Sequence, residues 1–568
     1  MLIEIHMIQN HSPANLNRDD LGAPKTCLFG GVTRARLSSQ TQKRSIRNPG
    51  NPDDIHNREP GLFAEAMKSF IGRRTKLFPW LVERELEKSG IPAAEHGRIV
   101  LKARQIALSK EKDEKKTAIA QKADPRPKTP QLIHLGPGHA RYFVTKLEGL
   151  RDNAKEQYDY FLNPVVGFQE IVRGIVTESD LPEKEQEKIV KSSWTIAKCR
   201  MSRLLQASAG EESEPEPQTE DDQPGTEHAR LIAERLTEFN VGDPARFRDL
   251  TKPANKEEKL QLNEDAPEKP KKMDEFMEAF KSVTHRNAVD IALFGRMTTS
   301  DAFDDVAAAM QVAHAISTHA VFNEVDYFTA VDDLGKAGGG AGHVDEAMFN
   351  SACFYKYFCL DWGQLVHNLA GPGPDKDGDE AAHSEWMSKI KPHAQKLAAC
   401  TLGHFLRAAA FTSPTGKQNS FASHCEPCGI LVEIKEAKIP TNYANAFADP
   451  VERIGKPDDD AADEKSIEGR SVACLADHVQ AVRRAYDIDS TLLWYSPKLW
   501  RFPLKYWERS ADGRKKTTAK FVTEYRYDVL GGNQGEKEGL VEAVIESLKV
   551  GLKWADVKDL GKDAPEEF

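Results

Sequence analysis

No apolar run in the 568 residues approaches the ~20 needed to span a bilayer, and the chain opens without the basic and apolar regions of a secretory signal. Cysteine is scarce. Eight in the whole chain exclude a disulfide-stapled miniprotein and, with no leader, point to a reducing cytoplasm. There is no collagen-like period and no internal repeat. Nor is there a global excess of cations to attract a polyanion: 78 Lys and Arg stand against 88 Asp and Glu, a net charge of −10. What remains is 39% hydrophobic and 29% charged, enough for a sizeable core in a chain long enough for roughly four domains of ~150 residues.

The charge is unevenly spread. Residues 14 to 47 carry Arg18, Lys25, Arg34, Arg36, Lys43, Arg44 and Arg47 against only Asp19 and Asp20. Acid gathers elsewhere, in Glu211 to Asp222 and Asp458 to Glu464, blocks that read as solvated loops. A basic patch inside an acidic average is a first sign of phosphate binding, although a solvated face has the same composition.

Along the chain, Ile3, Ile5 and Met7 alternate with Glu4 and His6, predicting a half-buried strand. After a loop from Asn10 to Gly31, Ser38 or Ser39 caps a short helix over Gln40–Arg47, stopped by Asn48-Pro49-Gly50. Helical spacing recurs at Phe63–Ile71, Trp80–Lys88 and Tyr142–Leu162, separated by Pro- and Lys-rich connectors at 124–128 and 252–272. This stretch, about 61 to 285, reads as a largely helical insertion. Beyond it, strands are predicted at Val289–Leu293, Glu324–Val331, Phe354–Leu360 and Ile430–Ile434. Helices are predicted at Asp304–Ala315, His393–Phe411 and Cys474–Tyr486. Interleaved strands and helices mean an α+β or α/β core in which the chain returns to complete a sheet begun at Leu2.

Motifs with chemistry are few. Gln40, Lys43 and Arg47 share a helical face whose N-terminus offers free N–H groups, so with Arg18, Lys25, Arg34 and Arg36 they would cradle several phosphates. The glycines from 338 to 342 are not a P-loop, because Lys336 precedes them and no Gly-Lys-Ser/Thr follows; a hairpin tip fits better. Cys425 and Cys428 with His424 are half a zinc site at most, and no metal is expected. His314 and His319 are five apart, the wrong spacing for two ligands on one helical face. Asp19 and Asp20 could bind Mg²⁺ for phosphodiester cleavage, but adjacent acids point apart and pairing with Arg18 is the simpler role. No catalytic group can be nominated, and no cofactor.

The residues His11-Ser-Pro-Ala-Asn-Leu-Asn-Arg-Asp-Asp20, Phe29-Gly-Gly31, Arg34-Ala-Arg-Leu-Ser-Ser-Gln40 and Lys43-Arg44 closely resemble the N-terminal block of the CasC family. CasC is the repeated backbone subunit of the type I-E CRISPR complex Cascade. The resemblance resumes at Val289–Met297, Gln311–His319, Asp326–Leu334, Gly342-His343, Phe349–Ser351, Pro414–Gln418 and Asn445–Phe447, in family order. It implies an α+β, hand-shaped protein. Its parts would be a modified RRM-like (ferredoxin-like) palm over 1–60 and 286–568, an enlarged helical finger insertion over 61–285 and a β-hairpin thumb over about 323–351. It implies partners as well: CRISPR RNA, target DNA, further copies head to tail, and subunits of the CasA, CasB, CasD and CasE types, with no membrane. By the same resemblance Arg18, Lys25, Gln40, Lys43 and Arg47, with Arg34, Ser38, Arg44 and Arg296 of the matching blocks, would hold RNA. Met297 and Phe328 would wedge beside a flipped base, and Gly416-Lys417-Gln418 would add a further RNA contact. The middle of the chain is more than a hundred residues longer than the family pattern and receives no residue roles; Lys110, Lys112, Lys115 and Lys116 there read as a solvated helix. Type III backbone subunits cut RNA through an acidic residue, so Asp19 or Asp20 as nuclease residues form the rival expectation.

Overall fold

Strand β1, Leu2–Ala14, lies at the centre of a ten-stranded sheet. The computed structural model describes residues 1–51, 59–106, 129, 132–155, 158, 288–298, 303–330, 343–371, 373–374, 380–452, 466–497, 508–509, 515–516, 524–527, 529–531 and 539–562. Two compact units emerge: residues 1–73, 285–296 and 305–568, and residues 74–284 and 297–304.

In the first unit β1 is followed by β2 (Thr26–Phe29), β3 (Val32–Leu37), β4 (Met310–Val312), β5 (Ala315–Ser317), β6 (Glu324–Ala330), β7 (His343–Asp361), β8 (Gly429–Lys435), β9 (Thr491–Tyr495) and β10 (Glu524–Tyr527). The order across the sheet is β10-β9-β8-β1-β7-β5-β3-β2, with β4 and β6 also paired to β7. Only the β9–β10 pair is parallel among these. β1 is antiparallel to both neighbours, from Leu2 opposite Asp361 to His11 opposite Ala352, and from Leu2 opposite Lys435 to Ile8 opposite Gly429. The fold is α+β. The chain does return after a long detour to finish the sheet begun at Leu2.

Alternation predicts one wet face for β1, and here the structure differs. Glu4 and His6 are completely buried. Helix Ile467–Tyr486 and the turn Tyr443–Phe447 cover that side, packing Val472, Leu475, Val479 and Phe447 against Ile8, Tyr355, Tyr357, Leu431 and Trp494. The polar side chains inside are compensated in part, His6 Nε2 having no hydrogen-bond partner among the described residues. Glu4 accepts from Tyr357 and pairs with Lys435 at 2.5 Å, and His6 Nδ1 meets the Tyr355 hydroxyl at 2.9 Å. Desolvation still dominates Glu4, raising its pKa, and burial lowers His6 to about 3. On the opposite face Ile3, Ile5, Met7, Phe358 and Leu360 form the main core with helix Lys391–Phe411 and with Ile46.

Two other expectations need correction. Val289–Phe294 is a helix, not a strand: all of Val289 to Leu293 is buried, and a short apolar run enclosed on every side carries no period that separates the two forms. Asp304–Ala315 is not a helix but a bridge and two short strands, β4 and β5, stitched to β7. Tertiary pairing overrides the local pattern there. The segment Phe63–Ile71 is one helical turn and a half, Leu62–Ala66, followed by a 3₁₀ turn over Lys68–Phe70.

The second unit is described by helices Phe78–Leu86, Ala93–Ile106 and His139–Asn153 around Phe78, Val82, Leu86, Phe143 and Leu147, with Phe303 edge-on to Phe78. The acidic blocks, the Pro- and Lys-rich connectors, Lys110 to Lys116 and the glycine-rich tip lie outside the described residues. Among the described residues no helix is long and apolar enough to cross a membrane.

Candidate nucleic-acid interface

Three segments of the first unit converge at the end of β1. The loop Asn15–Lys25 is tied at several points. Asn15 Nδ2 donates to the Gly22 and Met348 carbonyls, both at 2.8 Å, fixing the loop to β7. The Asn17 carbonyl accepts from Lys25 N, and Asn17 Oδ1 accepts from Ser38 N at 2.8 Å, fixing it to the following helix. That helix, α1, runs Ser39–Arg47 with Ser38 as its cap: the Ser38 Oγ accepts from Thr41 N. The third segment is the turn Pro414–Gln418. A Cβ on Gly416 would lie 2.5 Å from the Asn15 carbonyl oxygen, so only glycine lets this turn press against the loop.

Arg18, Gln40 and Arg44 are exposed in this arrangement, and Lys25, Arg36, Lys43 and Lys417 half-buried. Six cations are thus carried by α1, by β3 leading into it and by the two segments tied to it, Arg44 in the last turn of α1; the free N–H groups at the α1 N-terminus favour anions in their own right. Arg36 lies 3.2 Å from His314 Nδ1. Burial first, then the Arg36 and Lys25 charges, keep that imidazole's pKa below its ordinary value. The Lys43 ammonium sits 5.7 Å from the Phe294 ring centroid. Ser38 is buried, and its hydroxyl serves the cap.

Other expected contacts are drawn inward. Arg34 is fully buried and donates to the carbonyls of Phe29, Ser317, Phe447 and Ala448 at 2.8–3.3 Å, so it clamps the sheet to the Tyr443–Phe447 turn instead of holding a ligand. Arg47 stays at the helical spacing it shares with Gln40 and Lys43, but its guanidinium is engaged inside the protein. It pairs with buried Asp290 at 2.5 Å and donates to the Gly72 carbonyl. Arg296 is buried beside its bridge to Val306. Gln418 donates to Pro414 and Ser423, shaping the turn that carries Lys417. Phe328 stands on β6 at 44% exposure in the first unit, and Met297 belongs to the second unit at 93%.

The remaining candidates have local duties. Asp19 accepts from Leu21 N and Ala23 N, closing its own turn, while Asp20 is exposed. His319 is held between the Ala320 carbonyl and Cys353 N. The Cys428 thiol donates to the Ile8 carbonyl at 3.3 Å; its hydrogen bond with Cys353, then burial, push its pKa well up. Among the described residues no three His, Cys, Asp or Glu side chains gather as metal ligands. The structural duties of Asn15 and Gly416 escape sequence reasoning, because Asn15 meets Met348, 333 residues on, and Gly416 meets Asn15 across a still longer span. Lys356, a lone charge within the aromatic run Phe354–Phe358, is a legible signal in the sequence.

The family model for CT1975-like proteins, Cas_CT1975, matches residues 3–197 and 168–505. Among solved structures, a chain of a "CRISPR RNA-guided surveillance complex, pre-nicking" is similar over 96% of this chain and 100% of its own, at 21% identity and a TM-score of 0.50. A chain of a "CRISPR RNA-guided surveillance complex" covers the same shares at 16% identity and a TM-score of 0.39. The comparison with curated proteins found no match. At these identities the first likeness shows a shared fold.

Proposed function

We propose, on the premise that the chain belongs to the CT1975-like family, that it is a CRISPR RNA-binding backbone subunit of a Cascade-type surveillance complex. The observation that carries the reading is the set of cations Arg18, Lys25, Lys43, Arg44 and Lys417 on the capped helix α1 and the segments tied to it. The shared fold with a chain from an RNA-guided complex supports it. Such a subunit holds backbone geometry while base pairing reads the target, so it needs cations and amides and not base-reading side chains.

In the finer reading the complex is of type I-E and the subunit of the CasC kind. The sheet is an RRM-like palm, residues 61–285 are enlarged fingers, and the β6–β7 hairpin is a thumb reaching a neighbouring copy. Copies stack head to tail along the guide in the cytoplasm, as an open heterologous assembly whose length follows the RNA. CasA-, CasB-, CasD- and CasE-type subunits complete it, and target DNA pairs with the guide. The subunit itself does no chemistry; Asp19, engaged in its own turn, is poorly placed to hold a metal. Purification from the native host followed by RNA extraction tests the reading. A uniform short RNA and several further subunits are expected, and recovery of the chain alone without RNA would refute it. Regularly spaced Mg²⁺-dependent cuts in complementary RNA, abolished by Asp20→Ala, would replace the scaffold with a nuclease.

A further inference from the structure

Two lysines are buried in the sheet, and they are treated very differently. Lys435, 1% exposed, pairs with Glu4 at 2.5 Å and Glu433 at 3.3 Å, and donates to the Ile439 carbonyl and Thr441 Oγ1. Lys356, 3% exposed in the middle of β7, has no ion pair and no hydrogen-bond acceptor among the described residues. A charge taken from water is normally compensated by a partner, so the bare one is the anomaly.

Its position is informative. Lys356 lies opposite Met7 of β1, between Phe354 and Phe358 on the strand, and alternation puts it on the face where Met7 and Phe358 share a core with Ile46 of α1. Gln42 of α1 donates to the Ala313 carbonyl at 2.9 Å, and Ala313 N donates to the Tyr357 carbonyl, so α1 runs directly beside this stretch of β7. The lysine therefore shares the sheet face against which Ile46 of α1, the helix that carries Gln40, Lys43 and Arg44, packs. Along the same face is His11, 1% exposed, which burial first and then the Lys356 charge hold neutral, with a pKa of about 3. His11 lines the cleft under the Asn15–Lys25 loop, and its Nε2 has no hydrogen-bond partner. Burial alone lowers Lys356 to about 8, which leaves it mostly charged at neutral pH.

We propose that Lys356 is a further backbone contact of the interface, its missing counter-ion being a phosphate of the RNA seated along α1. The inference rests on the RNA-binding reading. A four-carbon stem in apolar surroundings with a mobile ammonium head suits the role, because the head can follow an anion arriving at the helix edge.

The test uses the purified full chain, fluorescein-labelled oligouridylate and a salt series, comparing wild type, Lys43→Ala and Lys356→Met. Lys356→Met should bind more weakly at every salt concentration, with a log K against log salt slope shallower by ~0.7, while its melting temperature stays level or rises. A wild-type slope in Lys356→Met, with Lys43→Ala shallower, overturns this inference and leaves the functional reading standing. A wild type that binds no RNA overturns both. If Lys356→Met fails to fold, Lys356→Gln takes its place in the same salt series. A slope shallower than wild type by ~0.7 supports the contact, and a wild-type slope refutes it.

Discussion

Arg34 and Lys43 are nine residues apart in one basic segment, and the fold assigns them opposite duties. Arg34 donates to four internal carbonyls, so Arg34→Met should cost about 3 kcal/mol, read as a lower urea midpoint, and leave the salt slope of RNA binding unchanged. Lys43→Ala should do the reverse. It would lose no more than about 1 kcal/mol of stability and lower the slope by ~0.7, equally for RNAs of any sequence. Nothing local separates the two residues, because the partners that bury Arg34 lie near 317 and 447. His11 gives a third test. Its unfolded pKa is near 6.5 and its folded pKa about 3, so between those values the unfolded chain binds the extra proton and stability falls as pH drops. Urea titrations between pH 6 and pH 4 should show a stability slope shallower by up to ~1.4 kcal/mol per pH unit in His11→Gln than in wild type. The opposing contribution of Glu4 is common to both proteins.

Elements with strong local signals were legible. Ser38 and Asn48-Pro49 bound α1 within a residue, and the apolar periods of His393–Phe411 and Cys474–Tyr486 read as helices, which in the structure begin earlier, at Lys391 and Ile467. The failures share a cause: Val289–Phe294 and the segment around β4 and β5 are short and take their form from what encloses them. The three-segment assembly of the interface was invisible for the same reason, although most of its cations were named. It offers a direct test at Gly416. Gly416→Ala drives a methyl into the Asn15 and Leu16 carbonyls, so the turn must shift, at about 1–3 kcal/mol. A weaker RNA affinity should accompany the loss, through displacement of Lys417 in a chain whose circular dichroism is otherwise unchanged. Full affinity in Gly416→Ala would remove Lys417 from the interface.

For the whole molecule the pairing of β1 sets a timetable. Leu2–Ile8 finds one partner strand at 355–361 and the other at 429–435. At ~5–20 residues per second, a ribosome needs about 20–90 s after making β1 to supply the second of these partners. Through that interval an apolar ribbon with bare edges is held open during translation, the state most exposed to mispairing with nascent neighbours. Expression of a chain ended at Cys428 should therefore give aggregates rather than a smaller soluble protein, which centrifugation of lysates will show. Ribosome-associated chaperones should crosslink to residues 2–8 until codon ~435 has been passed. The last seven rungs of the ladder thus work as a molecular release signal for the first strand made.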